Sequence, residues 1–179
     1  MQNLAIRALP GLGALVAVAA FACPAQAVPP ANAQQAQDTC IEYLLQTIRA
    51  MPEGTYLDSQ PDPDRPVSPG HASPTGTGSF LFPHDEFYSL SYRLLGDSSY
   101  ALVADTESAW QGIGWETNRK PPYPNGAFST QAYPADGYVL DALLGVGPAG
   151  TAATLSCATN ETFRGGGPSP APAPAALFR

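Results

Sequence analysis

The fold is decided by residues 128–159, which read FSTQAYPADGYVLDALLGVGPAGTAATLSCAT. Two breaks rich in proline and glycine, at Pro134–Gly137 and Gly147–Gly150, are typical of turns. Between the breaks apolar side chains recur at every second position, as expected of strands with one buried face. We therefore predict three consecutive antiparallel strands, over Phe128–Tyr133, Tyr138–Val146 and Thr151–Thr159. The inward side chains of the second and third strands are expected to be Leu140, Ala142, Leu144, Ala153, Leu155 and Cys157.

A further strand and a helix precede these three strands. Residues 87–95 alternate apolar and polar side chains, which predicts a strand that buries Tyr88, Leu90, Tyr92 and Leu94. After a cap at Ser98, apolar side chains recur with the 3.6-residue period of a helix until Gly112 and Gly114. The side chains on that helical face are Leu102, Val103, Thr106, Ala109, Trp110 and Ile113.

The first helix is predicted from a capping pattern, since Thr39 is followed three residues later by Glu42. Pro52 and Gly54 end it, and Cys40 lies in its first turn. Its apolar stripe consists of Ile41, Leu44, Leu45, Ile48 and Met51. Each amphipathic helix must bury its stripe, and an antiparallel sheet with one apolar face offers the surface. The expected fold class is α+β, a two-layer sandwich of two helices packed on an antiparallel sheet.

Residues 1–27 are expected to be a signal peptide. Arg7 is followed by an apolar stretch that ends at Cys23, and Ala25–Ala27 supplies the small-x-small pattern that a signal peptidase cleaves. The stretch is short for a membrane span, so an uncleaved anchor is the less favoured alternative. Lipid attachment at Cys23 is also disfavoured, because the bulky Phe21 stands where a lipid-attachment motif has a small residue. The expected location is therefore secreted or in the cell envelope.

Cleavage after Ala27 leaves two cysteines, Cys40 and Cys157, in an oxidising compartment. Two exported cysteines in one small domain usually pair, which predicts a disulfide; the alternative is two buried free thiols. The sequence contains no CxxC motif, HExxH motif or Cys/His cluster, which argues against a structural zinc site. We expect no metal ligands, no cofactor and no catalytic residues.

The remaining segments flank or interrupt a single globular domain over residues 38–163. Residues 28–37 are rich in proline, alanine and glutamine and are expected to form a flexible leader. Residues 52–79 are rich in proline and predict a long irregular loop, followed by a short strand at residues 80–82. Residues 164–179 contain alternating alanine and proline, which favour an extended and solvated chain, so we expect a disordered tail.

Composition excludes two classes of protein. The 179 residues include 8 basic and 15 acidic side chains, a net charge of −7. This balance argues against general nucleic-acid binding, which needs a basic face to displace counterions. Beyond the N-terminus no apolar run is long enough to span a bilayer, so no stable transmembrane segment is expected after signal cleavage.

Two kinds of polar site are candidates. His84 and Asp85 would supply a base and an orienting carboxylate for a small secreted hydrolase, although adjacent residues rarely direct their side chains together. The other histidine, His71, lies in the proline-rich loop. Calcium would be bound by the carboxylates of Asp58, Asp62 and Asp64, with Asp85 and Glu86 as further candidate ligands, but Pro61 and Pro63 keep this run extended and spread the ligands apart.

Aromatic residues around the second proline-rich segment are a third candidate site. They would form a stacking surface for a sugar, although aromatic residues at strand starts usually pack at the edge of a core. The residues concerned are Tyr123, Phe128, Tyr133 and Tyr138.

A series of short motifs gives the domain a likeness to known proteins. The first is Cys40 in the first helix. In order, the others are the Tyr92-Arg93 strand end before a helix, the Gly112–Trp115 helix exit, Asp136–Tyr138 opening a strand, and Pro148–Thr151 before the strand with Cys157. Over residues 38–159 the chain resembles small exported envelope proteins of actinobacteria, some of them lipid-anchored, that pair a cysteine of the first helix with one of the last strand.

The resemblance implies an exported α+β domain with that cysteine pairing, and it implies no catalytic residues because the group has no established reaction. We therefore expect a non-enzymatic interaction protein that contacts an envelope protein or a glycan. The alternatives are a small secreted hydrolase using His84, and a calcium- or sugar-binding module.

Overall fold

Two helices and the strands of one sheet make up the described part of the chain. A computed structural model describes residues 30–59, 73–75, 85–134, 137–148, 150–160, 163–164 and 170–179. The helices are α1 (Ala33–Ala50) and α2 (Ser99–Ile113). The strands are β1 (Tyr56–Asp58), β2 (Ser73–Thr75), β3 (Asp85–Leu95), β4 (Glu116–Arg119), β5 (Phe128–Tyr133), β6 (Tyr138–Gly147), β7 (Gly150–Thr159), β8 (Phe163–Arg164) and β9 (Ala176–Leu177).

The main path of the sheet, as far as the structure describes it, runs β4-β5-β6-β7-β3-β1-β9, while β2 and β8 pair with β3 beside this path. Every pairing is antiparallel. β4 to β7 form a meander in which each strand pairs with the next along the chain. β3 precedes α2 in the sequence, yet it joins the far side of β7 and lies between β7 and β1. The predicted antiparallel sheet is confirmed.

The helices pack on one face of this sheet and bury its apolar side chains. Alternate residues of β3, β6 and β7 are buried, with Leu90, Leu140 and Leu155 almost fully enclosed. α2 buries the face predicted for it, with Ile113 at its end partly buried against the core. The helix ends at Gly114, whose φ of 92° is the left-handed conformation that glycine adopts without strain. The two-layer α+β arrangement is confirmed.

α1 begins earlier than the sequence predicts. Its N-cap is Asn32, whose side-chain oxygen accepts a hydrogen bond from the backbone N–H of Gln35 at 2.9 Å. The Gln35 side chain accepts one from the backbone N–H of Ala31 at 2.8 Å. This reciprocal pair serves the role of a capping box, which we expected at Thr39 and Glu42.

The expectation of a flexible leader over residues 28–37 is therefore wrong from Ala33 onward, while residues 28 and 29 lie outside the described part. The physical reason is packing. Ala33, Ala36 and Gln37 are buried and extend the inward stripe of the helix by two turns towards its N-terminus. Alanine and glutamine form helices readily but give little apolar contrast, so the stripe is weak in the sequence.

The proline-rich segment over residues 52–79 is not uniformly irregular. It contains β1, which pairs with residues 93–95 of β3, and β2, which pairs with residues 87–89. Each strand has three residues, too few for an alternating pattern to be visible in the sequence. In β1 the buried Leu57 supplies the apolar anchor. The rest of the segment, residues 60–72 and 76–79, and the strand predicted at residues 80–82 lie outside the described part.

The C-terminal residues 170–179, here called the tail segment, lie against the domain. β9 pairs with β1 at the edge of the sheet, and Leu177 is only 6% exposed. The expectation of a disordered tail over residues 164–179 is wrong for this segment. One buried leucine and a row of side-chain hydrogen bonds offset the ordering of a chain that proline already keeps extended.

A disulfide fastens α1 to β7. Cys40 and Cys157 are joined with their Cα atoms 5.5 Å apart, and both side chains are fully buried. The two positions are separated by 117 residues in the sequence. The predicted pairing is confirmed, and the bond lies in the layer between helix and sheet.

Candidate functional site

The face of the sheet turned away from the helices carries a straight line of polar side chains. Because antiparallel register places directly opposed residues on one face, the line can be read from the strand pairing. Asn118 of β4 pairs with Gln131 of β5, Gln131 with Asp141 of β6, Asp141 with Ser156 of β7, and Ser156 with Ser91 of β3. We call these five residues the polar row.

The polar row is long and accessible. Five neighbouring strands about 4.8 Å apart give it a length of about 19 Å. Asn118 is exposed and the other four side chains are partly exposed. The alternation that buries Leu140 and Ala142 under the helices is the same alternation that turns Asp141 to the opposite face. Core packing therefore fixes the position of the row.

Asp141 is the charged centre of the row. Burial raises the pKa of its carboxyl group, and this effect outweighs hydrogen bonds from Gln131 and Ser129 and the positive charge of Lys120, which lower the pKa. The carboxyl group of Asp141 is thus partly desolvated and accepts hydrogen bonds from neutral side chains. Carboxylates in such settings occur at ligand sites more often than elsewhere.

Hydrogen bonds hold the neighbours of Asp141 in place. The Tyr133 hydroxyl donates to Gln131 Oε1 at 2.8 Å, which fixes the amide and leaves its NH₂ group to act as a donor. Ser156 Oγ donates to the backbone carbonyl of Asp141 at 3.3 Å. The row therefore presents fixed amide, carboxylate and hydroxyl groups, a mixture of donors and acceptors around one negative charge.

A second polar arrangement surrounds the tail segment. Gln37 is 2% exposed, accepts a hydrogen bond from the Tyr88 hydroxyl at 2.8 Å, and donates through Nε2 to the carbonyl of Ala171 at 2.8 Å. The Tyr92 hydroxyl donates to the carbonyl of Pro174 at 2.9 Å. Burial raises the pKa of Tyr92 to about 12 and that of Tyr88 further still, so both hydroxyls keep their protons at physiological pH.

The sites expected from the sequence are not brought together in the described residues. Of the proposed calcium ligands, Asp58 lies in β1, while Asp62 and Asp64 lie outside the described part. His71 and His84 also lie outside it, so the proposed hydrolase residues are not placed. No group of three or more potential metal ligands occurs among the residues that the structure describes.

The four aromatic residues proposed as a sugar-stacking surface are separated by the fold, so that proposal is wrong as it stands. Tyr138 is 4% exposed and Phe128 is buried at the edge of the core, where its ring lies 5.3 Å from that of Tyr100. Tyr123 is exposed in the loop before β5. Tyr133 lies on the opposite face of the sheet from Phe128, beside the polar row. Successive side chains of a strand point to opposite faces of the sheet, so the strands that carry these aromatic residues turn some of them inward and others outward.

The polar row itself was not predicted. Four of its residues are outward positions of strands that the sequence did predict, whereas Asn118 lies in β4, which the sequence did not predict. Asp141 stands out as a carboxylate between Leu140 and Ala142, two strands from the β4 edge. What the sequence could not supply is the register that aligns residues 118, 131, 141, 156 and 91 across five strands. In particular the β3–β7 pairing is not a hairpin and has no local turn to set it.

Comparison with known proteins yields no assignment, since the chain matches no protein-family model and no curated protein. Neither of the helices in the described residues has the length and apolar character needed to cross a membrane.

Proposed function

We propose that the protein is an exported, non-catalytic binding protein of the cell envelope, and that the polar row contacts an envelope carbohydrate. The row itself is the observation that carries this proposal. Sugar hydroxyls donate and accept hydrogen bonds together, and a fixed carboxylate flanked by an amide and hydroxyls offers partners for both roles. A row about 19 Å long would contact several sugar units, and the ring of Tyr133 lies at its side.

Export is supported by three observations. Residues 1–27 have the arrangement of a cleavable signal. The disulfide between Cys40 and Cys157 is of a kind that persists in oxidising compartments. The resemblance of residues 38–159 to exported envelope proteins also favours a location outside the cytoplasm.

Binding rather than hydrolysis is favoured by the composition of the row. Glycoside hydrolysis generally uses two carboxyl groups on either side of the scissile bond. The polar row holds one carboxyl group among amides and hydroxyls. The alternative of a hydrolase using His84 predicts that His84→Ala abolishes turnover in a panel of ester, peptide and glycoside substrates. We expect the unchanged protein to show no turnover of these substrates.

The test of the proposal is a co-sedimentation assay with insoluble cell-wall polysaccharide from the producing cells. Asp141→Asn keeps the shape of the side chain and removes its charge. Charged hydrogen bonds contribute about 1.5–3 kcal/mol, so the variant should bind at least about tenfold more weakly. Gln131→Ala should weaken binding similarly.

The matched control is Ser108→Ala on α2, because Ser108 is exposed on the helical side of the molecule. It should sediment like the unchanged protein. Soluble oligosaccharides released from the same polysaccharide should compete. If Asp141→Asn and Gln131→Ala sediment as well as the control, the polar row is not the carbohydrate site.

A further inference from the structure

The tail segment occupies a groove whose walls are built to hold an extended chain. We define the tail groove by Gln34 and Gln37 of α1, Ser59 after β1, Tyr92 of β3, and the edge of β1 that pairs with β9. Tyr88 lies behind it and orients Gln37 through the 2.8 Å hydrogen bond to Oε1. Because Tyr88 occupies Oε1, the Gln37 NH₂ group is directed at the tail segment. Two buried side chains, Tyr88 and Gln37, thus form a hydrogen-bonded chain that ends at the backbone carbonyl of Ala171.

Over residues 171–175 the groove makes its hydrogen bonds to backbone groups of the tail segment. Ala171 is held at both its polar atoms, since its carbonyl accepts from Gln37 at 2.8 Å and its N–H donates to Gln34 Oε1 at 2.7 Å. The Pro174 carbonyl accepts from Tyr92 at 2.9 Å. The Ala175 carbonyl accepts from both the backbone N–H and the hydroxyl of Ser59 at 2.8 Å.

This set of donors suits a segment in which alternate residues are proline. Residues 170–175 read PAPAPA, so three of the six positions have no N–H and the carbonyls are the main groups that can be bound. Proline also keeps the chain extended before it binds, which reduces the entropy lost on docking. The small Ala173 packs against the core, whereas Ala171 is exposed.

The end of the segment adds an anchor. β9 extends the sheet by pairing with β1, which places Leu177 opposite Leu57. Leu177 is buried, and the ring of Phe178 stacks on Tyr56 with centroids 5.6 Å apart. The groove therefore binds two features that follow each other in the sequence: an Ala/Pro-rich stretch, and then a leucine in a strand that pairs with the sheet edge.

We propose that the tail groove is a recognition site for Ala/Pro-rich extended segments of other exported polypeptides, with the chain's own tail segment as its tethered occupant. The contacts described above are all made by residues 171–178 and need no covalent connection to the rest of the chain. The tethered segment acts at an effective concentration on the order of millimolar, so it occupies the groove until a competing segment displaces it. This proposal is independent of the polar row.

The test uses the full chain with a protease cleavage sequence placed between Gly165 and Gly167, cut after folding and oxidation. The disulfide keeps the domain closed, and the severed segment is removed by gel filtration. A fluorescent peptide with the sequence PAPAPAALFR should then bind the cut protein. It should bind the uncut chain at least tenfold more weakly, because the tethered segment competes.

Matched peptides test what the groove reads. Replacing the residue equivalent to Ala173 by leucine should abolish binding, whereas the same change at Ala171 should be tolerated. Replacing the leucine equivalent to Leu177 by alanine should weaken binding by about tenfold or more. In the protein, Tyr92→Phe removes the donor to Pro174 and should weaken peptide binding by a factor of about three to ten, while its near-ultraviolet circular dichroism shows whether it remains folded.

The proposal is overturned if the cut, folded protein binds none of these peptides, or binds a scrambled peptide of the same composition equally well. It is also overturned if the uncut protein forms dimers that exchange their C-terminal segments, because the occupant is then a second copy of this chain. Binding of a second Ala/Pro-rich peptide that keeps the small residue and the leucine but changes the exposed alanines supports it.

Discussion

Trp110 is the largest fully buried side chain in the described part of the chain, and a single hydrogen bond satisfies its indole N–H. Nε1 donates to Thr47 Oγ1 of α1 at 3.0 Å, and Thr47 Oγ1 in turn donates to the backbone carbonyl of Tyr43 at 2.9 Å. The sequence indicated that Trp110 belongs to the core, which is confirmed. It did not indicate that Thr47 would be its partner, because a threonine outside the apolar stripe carries no signal of its own.

We predict that Thr47→Val destabilises the domain although it keeps the shape of the side chain. The buried indole N–H would lose its acceptor, and an unsatisfied buried donor costs about 1–3 kcal/mol. Thr47→Ser keeps the hydroxyl and should cost clearly less. Urea denaturation of both variants measures the difference, and equal stabilities would show that the hydrogen bond contributes nothing.

The ionised carboxyl group of Asp141 should lower the stability of the folded protein, because it is partly buried on the sheet face turned away from the helices. Burial raises its pKa above the ordinary value of 3.8, so the folded protein holds this proton more tightly than the unfolded chain does. The contribution of this group to the free energy of unfolding therefore falls as the pH rises through that raised pKa. We predict that Asp141→Asn has a higher Tm than the unchanged protein at pH 7.

The difference in Tm between Asp141→Asn and the unchanged protein should shrink as the pH is lowered from the raised pKa to below the ordinary value of 3.8, where the carboxyl group is neutral in both the folded and the unfolded chain. Asp97→Asn, in the exposed turn before α2, is the control for removing one negative charge from an acidic protein. A Tm difference for Asp141→Asn that is constant with pH, or matched by the control, would contradict the account.

At the scale of elements, the tail segment contributes stability through β9. Leu177→Ala removes a buried side chain next to Leu57, and we expect a loss of about 2 kcal/mol, at the low end for such a change because the site is at the sheet edge. Phe178→Ala is the control. Its ring is 65% exposed, so a loss of about 0.5 kcal/mol is expected. Thermal denaturation measures both, and a harmless Leu177→Ala would mean that the segment does not dock.

The elements that the sequence predicted are those with enough residues to show a period. β3, α2 and the β5–β7 meander each have six or more residues and alternate or repeat clearly, and their predicted bounds agree with the structure to within about two residues. The hairpin β6–β7 is also specified by the local turn at residues 147–150.

The elements that the sequence missed are short or depend on distant contacts. β1 and β9 pair over two residues each, held by Leu57 and Leu177, which are far apart in the sequence. Neither segment carries a pattern alone. β1 becomes a strand because β3 provides an edge, and β9 becomes one because β1 in turn does. The same holds for both candidate sites, since the polar row needs the β3–β7 register and the tail groove needs the tail segment beside α1.

For the whole molecule, the disulfide is the main constraint on the unfolded chain. It links positions 117 residues apart, which spans most of the described domain. Loop-closure entropy for that length gives about 4–5 kcal/mol as an upper figure, comparable with the total stability of a small domain. We predict that Cys157→Ala lowers the Tm sharply. Binding to polysaccharide, measured below the new Tm, should be unchanged because Cys157 faces the helices and Asp141 the opposite side.

We expect the domain that the Cys40–Cys157 disulfide closes to be exported after cleavage of residues 1–27. The intact mass of the protein recovered from the culture medium without reductant tests it most directly. We predict the mass of residues 28–179 less two hydrogen atoms, and a gain of those two hydrogens after reduction. A mass that retains residues 1–27, an acyl group on Cys23 in the membrane fraction, or a mass that reduction leaves unchanged would contradict it.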